Sequence, residues 1–425
     1  MNKETYLTEY PKHESMRENV KKDKNRLHFH MMPPTGWMND PNGLCEFQGV
    51  NHIYFQYTPF LAGWGTKLWG HYTTKDWIHY KEEEPFLYPD EEWDRDGVYS
   101  GSAYTCEDGI HYFYTGNVKL WDKDYDYIMN GREQNTIHVF SPDGKNIAYK
   151  KLVMTNDDYP VNMSKHVRDP KIYKKDGRYY MIQGGRDEES DGCALLFCSD
   201  DLEHWKWYDT VRTAKPFGYM WECPDFYPVG DKYVLMFSPM GGKERTSVYL
   251  VGWANAWDWM PFWKDWGPTY QECWCGFYNI PREAVLAEDN TLKFIPVKEL
   301  QDLRKNKQEE ADILIKEDEK KELRSGCVYE TEMRINLKKS TADKIKLNLR
   351  MSQGKKTEIL FDLKRAEAYF DRNNSDGWSK GVARCPLNLM GKEHLDIHIY
   401  SDKISLEIFS NEYQNLSLIH ISEPT

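Results

Sequence analysis

Between residues 27 and 297 the chain is written in short runs where apolar and aromatic positions are separated by Gly, Asp and Asn turns; residues 52–57, 98–104, 111–115, 179–183, 194–198, 233–237 and 247–251 are such runs. They are too short for helices and rich in β-branched and aromatic side chains, which predicts the strands of an all-β domain. The turns repeat as well. Thr73-Thr74-Lys75-Asp76-Trp77-Ile78-His79-Tyr80 matches Cys198-Ser199-Asp200-Asp201-Leu202-Glu203-His204-Trp205, and each follows a strand, as the third-to-fourth connection of a repeated four-stranded unit would. Units of roughly 50 residues point to a β-propeller, whose radial packing leaves only short protected edges. The length suits five blades.

After Pro296 the spacing becomes helical and then dissolves into charge through Glu310, which reads as a linker. Beyond it, residues 328–337, 345–351, 359–363, 368–371, 395–399 and 404–409 alternate with period two, the pattern of a β-sandwich. The expected organisation is a leader (1–26), a five-bladed propeller (27–297), a linker (298–310) and a C-terminal sandwich (311–425). The last residues, Leu418-Ile419-His420-Ile421-Ser422-Glu423-Pro424-Thr425, do not read as a continuing sheet, so a truncated sandwich with high mobility after Leu416 is expected.

Composition narrows the function. A net charge of -12 argues against a nucleic-acid partner, because neutralising phosphates takes clustered Lys and Arg. No apolar run approaches membrane-spanning length, and a leader rich in Lys, Glu and Asn does not read as a signal peptide, so a cytoplasmic protein off the membrane is expected. The nine cysteines form no C-x-x-C pair and are read as reduced, mostly buried thiols, with no metal site and no cofactor. Aromatic residues make up 15% of the chain; most belong in strands, and a minority would stack on sugar rings.

A second repeat carries chemistry. Asn39-Asp40-Pro41-Asn42-Gly43, Arg168-Asp169-Pro170-Lys171 and Glu222-Cys223-Pro224-Asp225 each set a carboxylate at or just before a proline, ahead of a strand, a polar turn and another aromatic strand. At one equivalent point in three blades, these carboxylates would sit on innermost strands and converge at the channel mouth. Hydrolysis of a glycosidic bond with retention needs one carboxylate to attack and one carboxylic acid to protonate the leaving oxygen. Asp40, among Trp37, Asn39, Asn42 and Gly43, has amides nearby to stabilise a charged nucleophile. Glu222, between Met220, Trp221 and Cys223, is in an apolar setting that should raise its pKa and keep it an acid. Asp169 beside Arg168 should stay ionised and hold hydroxyls. Cys223 reads as a buried neighbour tuning Glu222 rather than as a nucleophile.

His30-Met31-Met32-Pro33-Pro34-Thr35-Gly36-Trp37-Met38-Asn39-Asp40-Pro41-Asn42-Gly43, with Val167-Arg168-Asp169-Pro170-Lys171 and Trp221-Glu222-Cys223-Pro224-Asp225, resembles glycoside hydrolase family 32, the β-fructofuranosidases. The resemblance runs over residues 27–408. It implies the propeller-plus-sandwich fold and double displacement, with Asp40 as nucleophile, Asp169 as transition-state stabiliser and Glu222 as acid/base. It further implies substrate contacts at Trp37, Met38, Asn39, Gln56, Trp64, Tyr99, Ser100, Arg168 and Trp253. The substrate would be a small sugar, sucrose, sucrose 6-phosphate or a fructo-oligosaccharide, handled by a monomer or homodimer. Lys67 and Arg186 are basic candidates for a phosphate. Rival readings are a fructan exohydrolase or fructosyltransferase, an inactive sugar-binding propeller, and an inverting arabinan hydrolase. The inactive reading draws on residues 240–281, which look short of strands against the family pattern.

Overall fold

The structure, a computed structural model, describes residues 1–126, 128–241, 268–323, 326–375 and 380–420. The run at 247–251, Trp253 and most of the shortened stretch fall outside them. The chain divides into two compact units: Met1–Arg17 with Pro33–Gly252, and Glu18–Met32 with Trp253–Thr425. The segment read as a leader is helical. It contains α1 (Lys3–Glu9), capped by the Asn2 side chain on Thr5 N at 2.9 Å, and α2 (Glu14–Lys22), with Lys21 and Lys22 in its last turn where the helix dipole favours cations.

In the first unit every sheet is antiparallel and its strands are in sequence order, as propeller blades are. Blade one is β1 (Gly36–Phe47), β2 (Val50–Thr58), β3 (Leu68–Thr74) and β4 (Lys81–Leu87). Blade two is β5 (Val98–Cys106), β6 (Gly109–Lys119), β7 (Arg132–Ser141) and β8 (Tyr149–Met154). Blade three is β9 (Met163–Lys175), β10 (Arg178–Asp187), β11 (Gly192–Ser199) and β12 (Lys206–Val211). A fourth sheet contributes β13 (Met220–Val229) and β14 (Lys232–Met240). Apolar side chains fill the gaps between successive blades. Tyr54 and Trp69 of the first meet Tyr112, Tyr114 and Ile137 of the second, and Phe113 meets Val167, Met181 and Phe197 of the third. Part of the aromatic content is accounted for by this packing, since flat rings fill the space between twisted sheets.

The repeated turn is one structure used three times. Thr74 and Ser199 accept backbone N–H groups of the turn, and Asp76 and Asp201 accept from the N–H groups two and three residues on and from the His79 and His204 rings. The third copy, between β7 and β8, escaped the sequence comparison because Asn146 replaces the histidine; Ser141 and Asp143 make the same bonds. In each copy the side chains take the place of backbone pairing that the tight turn cannot supply.

The second unit contains two four-stranded antiparallel sheets. Tyr329–Asn336, His394–Asp402, Ser405–Ser410 and Asn415–His420 form one, and Lys344–Ser352, Lys355–Asp362, Glu367–Asp371 and Val382–Pro386 the other. Ile359, Phe361, Phe370, Ile397, Leu406 and Ile408 pack between them as the core of a β-sandwich. The loose end expected after Leu416 is corrected as far as His420, because that segment pairs along Ser405–Ser410 and its backbone groups are satisfied there. The thiols also differ from expectation. All nine are free, but only Cys193 and Cys275 are buried. Among the described residues no helix is long and apolar enough to cross a membrane.

His30, which opens the long motif, anchors its segment inside this second unit. Its side chain is wholly buried, with Nδ1 2.9 Å from Asp402 and Nε2 3.0 Å from Glu407. Asp402 also accepts the backbone N–H groups of His28 and Phe29. Burial works against a charged ring, but the two carboxylates prevail and raise its pKa to about 9. An imidazole with a higher pKa in the folded state than in the unfolded chain stabilises the fold fully below about pH 6.5, and that contribution is lost as pH rises through about 9. Replacing His30 with Ala leaves two buried carboxylates without their cation and is expected to cost about 3–5 kcal/mol in urea unfolding at neutral pH. A cost below about 1 kcal/mol, within the range of an exposed ion pair, would refute the anchoring role.

Candidate active site

The first strands of the blades adjoin in the order β1, β5, β9, β13. Each slips register against its second strand at the same point: between Met38 and Pro41, Val98 and Gly101, Arg168 and Lys171, and Glu222 and Asp225. A bulge of this kind turns side chains out of the alternating pleat. The residues turned out include Asp40, Ser100, Asp169 and Cys223. Proline suits such a point because it cannot donate to a ladder. Asp169 and Cys223 adopt positive φ, +66° and +48°, a conformation costly for side-chain-bearing residues that persists where its surroundings enforce it.

Bonds between neighbouring first strands fix this ring. Ser102 Oγ donates to Pro170 O at 2.8 Å, Gly101 N to Asn42 Oδ1 at 3.3 Å, and Cys223 N to Asp169 Oδ2 at 2.9 Å. Thr115 Oγ1 accepts the Asp169 N–H at 2.9 Å.

Asp40 is half-buried and oriented by neutral groups. Gln56 Nε2 donates to Ser100 Oγ at 2.6 Å, and Ser100 Oγ donates to Asp40 Oδ2 at 2.6 Å. Asn39 Nδ2 lies 3.1 Å from Gln56 Oε1 and 3.4 Å from Asp40 Oδ1. The strand glutamine therefore bonds side chains of the site and not backbone.

Glu222 and Asp169 share Arg168. Its Nη2 meets Glu222 Oε1 at 2.5 Å, and its Nε lies 3.6 Å from Asp169 Oδ2. Desolvation dominates at Glu222 and, with the charges of Asp169 and Asp40, outweighs Arg168, so the carboxyl is pushed up to about 7. Burial also raises Asp169, against the pull of Arg168 and the Cys223 N–H, which favour its ionised form. The Cys223 thiol is 3.8 Å from Asp40 Oδ2, so it borders the carboxylate of β1 as well as the Glu222 it follows in sequence. The residue has exposed surface, yet burial of the thiol and the carboxylates of Asp169, Asp40 and Glu222 push its pKa well up, away from a thiolate.

The other expected contact residues are placed as follows. Tyr99 adjoins Ser100 at the head of β5, and its carbonyl accepts from Trp69 Nε1 at 3.0 Å. Trp64 is 52% exposed, edge-on to Trp37 at 5.8 Å. Trp37 and Met38 have no exposed surface, so they stand in the wall behind the residues that face outward. Lys67 is buried beneath the same indoles, its ammonium 3.2 Å from the Trp37 ring centre and donating to Thr58 Oγ1 at 3.1 Å. Arg132, whose guanidinium lies 5.7 Å from the Tyr99 ring, and buried His166, which feels the charge of Arg168, were missed as neighbours of these residues, for nothing in their spacing joins them before the strands assemble.

Two groups of potential metal ligands occur among the described residues: Cys106, Asp108 and His111, and Glu330, Glu332 and His398. Arg304 bonds both glutamates of the second, which already places a cation there. Neither group includes Asp40, Asp169 or Glu222.

Comparison with known proteins bears on this arrangement. Residues 30–256 match the model of the glycosyl hydrolases family 32 N-terminal domain, and residues 299–417 match the model of the family 32 C-terminal domain. A sucrose-6-phosphate hydrolase of Zymomonas mobilis is 30% identical over 93% of this chain and 85% of its own length. A raffinose invertase of Escherichia coli is 30% identical over 90% of this chain and 87% of its own. Among solved structures, sucrose-6-phosphate hydrolase from Lactobacillus gasseri superposes with a TM-score of 0.74 at 23% identity, covering 96% of this chain and 91% of that one. A Bombyx mori GH32 β-fructofuranosidase gives 0.73 at 22% identity, covering 97% and 94%.

Proposed function

The chain belongs to glycosyl hydrolases family 32, and from that premise we propose that it releases fructose from sucrose or sucrose 6-phosphate by double displacement at Asp40 and Glu222. It is a glycoside hydrolase acting on β-fructosides. The observation that carries the residue-level reading is the placing of Asp40 and Asp169 inside one repeated bulge of their first strands and of Glu222 at the edge of the same bulge on β13, with Glu222 alone poised near 7.

In the first step an Asp40 oxygen attacks the anomeric carbon of the fructosyl ring. The bond to the bridging oxygen breaks, and Glu222 gives that oxygen its proton, so the second sugar leaves as a neutral alcohol. In the second step Glu222, now a carboxylate, takes a proton from water. The water oxygen bonds to the anomeric carbon as the Asp40 ester breaks, returning both residues to their starting states. Asp169, held by Thr115, Cys223 and Arg168, is positioned to accept sugar hydroxyls, whose hydrogen bonds strengthen as the ring flattens toward an oxocarbenium ion.

Purified protein incubated with sucrose, sucrose 6-phosphate, inulin and levan is expected to release fructose from the two small substrates, with the β-anomer formed first by NMR. A folded protein that releases fructose from none of them overturns the reading in favour of a non-catalytic sugar binder. Formation of the α-anomer first would replace double displacement with single displacement.

A further inference from the structure

The first two strands of each described propeller sheet are joined by the same two-residue hairpin, so its positions can be compared from sheet to sheet. Phe47, Cys106, Lys175 and Val229 end the pairing on the first strand, opposite Val50, Gly109, Arg178 and Lys232. The second turn residue is Gly49, Asp108, Gly177 or Asp231, and two residues into the next strand stand His52, His111, Tyr180 and Val234. Among the described hairpins only that of blade two joins a thiol, a carboxylate and an imidazole.

These three side chains converge. The Cys106 sulfur, a carboxylate oxygen of Asp108 and a ring nitrogen of His111 all lie within 4.8 Å of one another. Register explains the sulfur and the ring: Tyr104 pairs with His111, and Cys106, two residues beyond Tyr104, falls on the same face of the sheet. His111 Nδ1 lies 2.8 Å from His138 Nε2, a bond that fixes the ring and leaves its Nε2 for a ligand, as the second nitrogen of a metal-bound imidazole does. Blade one repeats this histidine pair, His52 Nδ1 lying 3.0 Å from His71 Nε2, but sets Phe47 and Gly49 at the other two positions. The pair is therefore common to both blades, and the thiol and carboxylate are what blade two adds. The nearest cation, Lys174, donates to Tyr179 Oη at 3.2 Å and lies over that ring, and it makes no ion pair with Asp108.

Sulfur, imidazole nitrogen and carboxylate oxygen together form a donor set for a borderline-soft divalent ion. Bonds of about 2.3 Å to sulfur and about 2.0–2.1 Å to nitrogen and oxygen put the ligands of one tetrahedral zinc ion about 3.3–3.6 Å apart. Side-chain rotation closes that gap, because Asp108 is exposed and Cys106 and His111 are half-buried. Glu330, Glu332 and His398 differ on both counts: they offer no sulfur, and Arg304 already bonds the two glutamates. We propose that Cys106, Asp108 and His111 bind one Zn²⁺ ion, with water in the fourth position, and so clamp the β5–β6 hairpin at the end of β5 remote from Ser100. As the zinc–sulfur bond forms, the Cys106 thiol proton passes to solvent. The proposal does not depend on the roles of Asp40, Asp169 and Glu222.

The full chain, stripped of metal with a chelator and kept reduced, is titrated with Zn²⁺ by calorimetry and with Co²⁺ by absorption. One equivalent of Zn²⁺ is expected to bind with a Kd on the order of micromolar or tighter, and Co²⁺ to give the near-ultraviolet charge-transfer band of a thiolate ligand. Cys106→Ser should weaken Zn²⁺ binding by about tenfold or more and remove that band, which eight other cysteines could otherwise supply. Asp108→Asn, at an exposed turn position, should keep the band and weaken binding by about tenfold. Saturating Zn²⁺ should raise the Tm of wild type and not that of Cys106→Ser, because an ion that binds only the folded chain stabilises it. A wild-type Kd weaker than about 1 mM overturns the proposal, as does a charge-transfer band that persists in Cys106→Ser or an affinity unchanged in Asp108→Asn.

Discussion

Asp40→Asn is expected to abolish fructose release, with kcat lower by about 10⁴-fold or more, the scale on which loss of a covalent nucleophile falls. The side chain keeps its shape. It sits where Ser100 donates at 2.6 Å, and an amide oxygen can accept that bond in place of the carboxylate. The fold is therefore expected to remain, because the tie between β1 and β5 through Gly101 N and Asn42 does not involve Asp40. What disappears is the anionic oxygen able to form an ester with the anomeric carbon. The check is single-turnover and steady-state release of fructose beside an unfolding curve. A variant with unchanged stability and more than about a tenth of wild-type kcat would remove Asp40 from the nucleophile's role.

Glu222→Gln is expected to lower kcat by about 10²- to 10⁴-fold, the range typical of a lost general acid, and to change the pH profile in a way that no structural role predicts. Burial and the charges of Asp169 and Asp40 hold the Glu222 carboxyl at about 7. It is therefore protonated below that pH, and kcat/KM of wild type should fall as pH rises through about 7. That limb vanishes in Glu222→Gln, which carries no titrating proton. Arg168 pulls the other way, since its cation favours the ionised form at 2.5 Å. Arg168→Gln should accordingly move the basic limb to higher pH. A limb that moves to lower pH in this variant, or survives in Glu222→Gln, would assign the ionisation to another group.

The two experiments separate chemistry from architecture, and the same division runs through what could be read beforehand. The strands announced themselves because aromatic and β-branched runs bounded by Gly, Asp and Asn turns have few other local solutions. The Thr74 and Ser199 turns were legible as a repeat because each uses a hydroxyl, an acid and a histidine in fixed order; the Ser141 copy was not, since Asn146 does the histidine's work with an amide. The helices α1 and α2 passed unnoticed as a charged leader. Their stability owes much to the tertiary setting: Arg17 makes paired bonds to Glu82 at 3.0 and 3.1 Å, and Tyr6 lies 5.8 Å from the Phe60 ring. His30 stood in plain sight at the head of the long motif, yet its partners Asp402 and Glu407 come more than 370 residues later.

By itself the sequence determined the residue types and their order: an all-β chain, a propeller and then a sandwich, and three carboxylates marked by prolines. Those follow from local periodicity and turn chemistry, which act over a few residues. Only the tertiary structure decided that the four first strands slip register at one level, that Gln56 and Ser100 orient Asp40, and that burial outweighs Arg168 at both Glu222 and Asp169. Each of these depends on distance and desolvation between groups far apart in the chain. Such quantities come into being only when the blades close on one another.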